Sequence, residues 1–158
     1  MTLVETIEVG SGGAASIEFT SIPQDGVDLM VLIGHRTVIT GSTLTLNDTG
    51  LAGDDAIYVQ GNGSAAQSNA QSSAFIVGAD DSYTANTFGN AQIYISNYTS
   101  STNKSVSVDA VAENNATTAI FRISAIKFSI TSAITSVKFA PSTGNIEQYS
   151  TASLYKIS

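Results

Sequence analysis

The chain has 158 residues, a mass of 16.3 kDa and a formal net charge of −7, with 42% hydrophobic but only 12% charged residues. A chain of this size buries roughly 68–70% of its unfolded surface, so one self-sufficient core is expected, and the composition excludes disorder and coiled coil. Six Lys and Arg against thirteen Asp and Glu cannot neutralise many phosphates, which argues against nucleic acid. The lack of Cys removes disulfides, thiolate catalysis and Cys-ligated zinc.

The longest apolar run, Val27 to Ile33, is interrupted by Asp28 and falls far short of the roughly 20 residues of a membrane span. The segment Met1 to Glu8 lacks the basic and apolar regions of a signal peptide, so synthesis in the cytoplasm is expected. The 22 Ser and 18 Thr make up a quarter of the chain, beside 10 Asn, 13 Gly and only 2 Pro. Thr and Val favour pleated surfaces, while Gly, Asn and Ser favour turns.

In chain order, Leu3, Ile7 and Val9 read as one face of a first strand, followed by a Gly-rich turn at 10–13. Ile17 and Phe19 alternate with polar residues as a half-buried strand, which ends at Ile22-Pro23-Gln24-Asp25-Gly26. Leu29-Met30-Val31-Leu32-Ile33 is apolar on both faces, so it is either central in a sandwich or covered by another subunit. These five residues are the candidates for an oligomer interface. Leu44 and Leu46, Ile57-Tyr58-Val59, residues 74–78 and residues 91–95 read as further strands. The polar stretch from Gly61 to Ser73 reads as one or two helical turns or a mobile loop. Residues 105–112, 119–130, 135–140 and 153–157 complete about ten strands with no linker and no repeat.

This pattern predicts a single all-β domain over residues 1–158: an antiparallel two-sheet sandwich, jelly-roll-like, with an up-and-down barrel as the alternative. Ile17, Phe19, Val31, Ile33, Ile93, Ile95, Val106, Val108, Val137 and Phe139 are expected to face inward.

Chemistry-bearing residues are few. His35 is the only histidine, and no Gly-x-Ser-x-Gly elbow accompanies it, so it reads as an ordinary strand-end residue rather than a catalytic base. Glu18, Asp109 and Glu113 could supply a glycosidase carboxylate pair, but a chain without Trp lacks the usual sugar platform. Asp54 and Asp55, with Asp80 and Asp81, are oxygen pairs of the kind calcium binds; without EF-hand spacing they read as Asx-rich turns. The five Asn-x-Ser/Thr triplets follow from the Ser/Thr content. No catalytic residue and no cofactor are expected.

Five stretches carry a resemblance: Ser21-Ile22-Pro23 with Asp28-Leu29 and a strand ending in Arg36; Ala91 to Tyr98; Glu113-Asn114-Asn115-Ala116; Ala133 to Val137; and Ser153 to Ile157. In this order and spacing the chain resembles a family of small virion structural proteins of tailed phages, common in marine viral sequences. It departs from that family in lacking a tryptophan before the Ile134 segment and in carrying Lys156 where glycine is frequent.

The resemblance implies a bacteriophage structural protein without catalytic activity. The expected role is a capsid decoration protein, made in the host cytoplasm and placed on the virion surface. Its expected partners are the major capsid protein and copies of itself, as a homotrimer; no nucleic acid or membrane partner is expected. The alternative is a receptor-binding or tail-fibre tip module recognising host surface glycans. Such a module usually follows an N-terminal shaft, and here the strand pattern begins at Leu3.

Overall fold

Twelve strands account for the fold: β1 (Thr2–Glu8), β2 (Ile17–Phe19), β3 (Asp28–His35), β4 (Gly41–Leu46), β5 (Ala56–Gly61), β6 (Ala66–Gln71), β7 (Phe75–Val77), β8 (Gly89–Ile95), β9 (Lys104–Glu113), β10 (Ala119–Phe128), β11 (Val137–Ala140) and β12 (Thr151–Ile157). The computed structural model describes residues 1–158 and contains no helix. Period-two patterning builds the strands. β9 is typical: Val106, Val108, Ala110 and Ala112 point into the core while Ser105, Ser107 and Asp109 point out.

The strands form two antiparallel sheets, ordered β1-β12-β3-β8-β9-β10-β5-β6 and β2-β11-β4-β7. Eight of them make a jelly roll. Taken in chain order as strands one to eight, β1, β2, β3, β4, β7, β8, β11 and β12 give sheets ordered 1-8-3-6 and 2-7-4-5, the double Greek-key arrangement of that fold. Two inserted hairpins, β5–β6 and β9–β10, both join the first sheet beyond β8. The large sheet is therefore twice as wide as the small one.

The core contains 32 buried apolar residues drawn from both sheets. All ten residues expected to face inward are buried there. Phe19, Phe128, Phe139 and Tyr98 are its fully buried aromatic members, and the Tyr98 hydroxyl donates to the Pro23 carbonyl. The accessible surface of 7268 Å² is close to the roughly 7,500 Å² expected for a compact chain of this mass, so the inserted hairpins belong to the body.

Three expectations change. Residues 66–71 form a strand, not helical turns or a loop. They pair with β5 from Ala56↔Gln71 to Gly61↔Ala66, around a turn in which Asn62 Oδ1 accepts the N–H groups of Ser64 and Ala65. Leu3 is exposed, because a bulge at Val4 shifts the register between Leu3 and Glu5 and turns Val4, with Ile7, towards the core. Of the five interface candidates, Leu29, Val31 and Ile33 belong to this chain's own core, which leaves Met30 and Leu32 on the outer face.

Candidate functional site

Register carries the outer face of the large sheet across six of its eight strands, from β3 to β6. One row of neighbours runs Met30, Tyr94, Ser107, Ala125, Ile57, Ala70. The next runs Leu32, Gln92, Asp109, Ile123, Val59, Ser68, and a third runs Gly34, Asn90, Val111, Phe121, Gly61, Ala66. The small sheet and core lie against the opposite side, except at β6, which is exposed on both faces.

Its two halves differ. Over β12, β3, β8 and β9 lies a depression of about 470 Å³. Gly34 leaves the floor low, Leu32 and Val111 flank it, and Asn90, Gln92, Asp109 and Thr151 offer polar groups. Over β10 and β5, with Val111 of β9 beside them, the face is apolar. Val111, Phe121, Ile123, Ile57 and Val59 are 38–60% exposed, and a second hollow of about 280 Å³ lies among Ile57, Val59, Ile123 and Ala125. Five of the eleven exposed large hydrophobic residues thus share one strip.

The inner side of the same strands explains the strip. In the first half of β10, Arg122 and Ser124 point inward while Phe121 and Ile123 point out. In β5, Tyr58 and Gln60 take the inner side, against Ile57 and Val59 outside. Arg122 is buried, with its guanidinium 3.5 Å from the centroid of the Tyr58 ring and 5.3 Å from that of Phe75. It donates to Gln60 Oε1 at 3.3 Å, and also to Gln71 Oε1 and the Ser124 hydroxyl. The π faces and amide oxygens offset the loss of water around a cation that has no carboxylate partner. Polarity is therefore inverted where the sheet extends beyond β9: a polar clamp inside, apolar side chains outside. Contiguous exposed apolar patches are commonly sites of interaction.

The sequence candidates lie elsewhere. His35 is fully buried at the end of β3, with Nε2 3.3 Å from the Ser42 hydroxyl and Nδ1 unpartnered. No substrate reaches it. Asp109 and Glu113 stand four residues apart on the outer side of β9, a separation of about 13 Å at strand rise, which is too long for a glycosidase pair. Glu18 sits on β2 in the other sheet, near Lys138.

Three of the four acidic residues have protein partners. Asp55 pairs with Lys127 at 2.8 Å, and Asp54 lies exposed beside it. Asp80 accepts from the Ser82 N–H at 2.8 Å and from Thr40 Oγ1 at 2.9 Å, an Asx turn. Asp81 lies 4.0 Å from the Arg36 guanidinium, which also pairs with Glu147 at 2.9 Å. No three acidic or His side chains converge as a metal site.

Ile57, Val59, Val111, Phe121 and Ile123 were not singled out from the sequence. One signal was present: in β10, Phe121 and Ile123 have the opposite parity to Ile126 and Phe128, with Arg122 between them. Comparison with protein-family models, with curated proteins and with solved structures finds no match.

Proposed function

We propose that this chain is a non-catalytic virion structural protein that binds the outside of an assembled phage shell, as a capsid decoration protein. The observation that carries the reading is the outward apolar strip on β5, β9 and β10, placed on a wide sheet face where a flat partner can cover it. The resemblance to small phage virion proteins supplies the class of partner, the major capsid protein. Association with further copies of the chain belongs to the same reading.

Such a protein acts through mass action. A ligand that binds only the intact shell stabilises it by RT ln(1 + [L]/Kd) per site, about 2.7 kcal/mol at a hundred times Kd. With few charges at the contact, salt should change the binding modestly. Particles lacking the protein should break at lower temperature, and its copy number should be comparable to that of the major capsid protein.

One observation favours a second reading, a glycan-binding tip module. Asn90, Gln92 and Asp109 make no side-chain hydrogen bond within the chain and line the 470 Å³ depression, where they could meet sugar hydroxyls. Particles that lack the protein, keep full heat stability and fail to adsorb to cells would replace the decoration reading with this one.

A further inference from the structure

The sheets end in four edge strands: β1 and β6 on the large sheet, β2 and β7 on the small one. An edge strand offers unpaired N–H and C=O groups, and proteins usually blunt it by shortness, bulges, proline or charge. β2 and β7 have three residues each. β1 carries the bulge at Val4 and the exposed carboxylates of Glu5 and Glu8.

β6 has none of these devices. It is six residues long, Ala-Gln-Ser-Asn-Ala-Gln, with no charge, no proline and no register shift against β5. It is also held in place: Gln71 accepts from Arg122 and donates to the Ser73 carbonyl at 2.7 Å. The neutrality extends further, since no residue from Ala56 to Ala79 is charged in a chain of net charge −7. Two copies of an acidic protein can meet here without opposing charges.

We infer that β6 pairs antiparallel with β6 of a second copy, joining two large sheets edge to edge. The partner is a second copy because antiparallel pairing of a strand with itself is self-complementary. Paired residues must share a face. Gln67, Asn69 and Gln71 therefore meet amides on the inner side, while Ala66, Ser68 and Ala70 meet small residues on the outer side. The assembly closes at two, because the opposite edge, β1, is blocked. This two-fold contact differs from the trimer expected from sequence. The symmetry axis runs perpendicular to the sheet, so the two apolar strips face the same way.

The inference does not depend on shell binding, and its test needs no shell. Sedimentation equilibrium of the purified protein should give twice the 16.3 kDa chain mass. Ser68→Lys and Asn69→Lys place a charge on the edge, one on each face, and should each weaken the dimer at least tenfold. Both sites are exposed, so circular dichroism and unfolding midpoint should match the parent. A parent that is monomeric at 100 micromolar (on the order of the strongest concentration needed for a weak specific contact) overturns the inference. So does a trimer, or a dimer that both substitutions leave intact.

Discussion

His35 is held neutral by its surroundings: burial pushes the imidazole down from 6.5 to about 4. Gly78 makes the packing possible, because a Cβ there would lie 2.6 Å from His35 Nε2. An unfolded histidine takes up its proton near pH 6.5, but the folded one does so only near pH 4. Between these values the unfolded state binds more protons, so stability is complete above pH 6.5 and falls as pH drops. The slope is about 1.4 kcal/mol per pH unit, or about 3 kcal/mol across the window. Glu147 acts in the opposite sense, because burial and Asp81 push its carboxyl above the usual carboxylate range. Urea midpoints at pH 7, 5.5 and 4.5 in the parent and in His35→Gln separate the two. The substitution should remove most of the decline; an unchanged decline would assign it to other groups. The buried Lys104 matters through its hydrogen bonds. Lys104 Nζ donates to the carbonyls of Ser100 at 2.8 Å, Thr102 at 2.5 Å and Ile130 at 3.2 Å, which uses all three ammonium protons. Lys104→Met strands the buried Ile130 carbonyl and should cost about 2 kcal/mol in denaturant unfolding.

At the scale of elements, the β5–β6 hairpin is held to β10 by the backbone ladder from Phe121↔Gly61 to Ile126↔Ala56 and, among side chains, chiefly by Arg122. Arg122 joins it through the Tyr58 ring, Gln60 and Gln71, whereas the jelly-roll strands are joined by the 32-residue core. Arg122→Ala should therefore loosen the hairpin by about 2 kcal/mol while leaving the rest of the sheet intact. Hydrogen exchange reads the difference: amides of β5 and β6 should lose protection, and those of β3 and β12 should keep it. Uniform loss across the sheet would show that the hairpin is not a separate unit. The same distinction explains what the sequence made legible. Strands packed between the sheets alternate cleanly, and Ile17, Phe19, Val137 and Phe139 were all correctly placed inward. β6 buries no apolar side chain on either face, so no apolar period could mark it; its signal lies only in the ladder to β5. The bulge at Val4 breaks the parity on which the reading of Leu3 relied. The two-faced strand from Leu29 to Ile33 is apolar because it lies third from the edge of the wide sheet, with Leu29, Val31 and Ile33 in the core.

At the scale of the whole molecule, the strip on β5, β9 and β10 is the part of the surface that folding leaves unsatisfied. Phe121 and Ile123 lie at its centre, 45% and 53% exposed, and are paired across strands with Val111 and Val59. About half of each side chain is covered within the chain, so Phe121→Ser and Ile123→Ser should each lower the unfolding free energy by about 1 kcal/mol, which leaves the fold standing. At an interface the same side chains would be anchors, where truncation commonly costs 2 kcal/mol or more, roughly a thirtyfold loss of affinity. The combined variant should fold normally and bind far less to shells that lack the protein. Neither residue belongs to β6, so its dimer should persist and the two contacts can be scored separately. Pelleting with purified shells measures the first effect, and thermal unfolding of the free protein measures the second. Full binding with normal stability would move the shell contact to another face. Lost binding with an unfolded chain would show that the strip is packed within the molecule rather than offered to a partner.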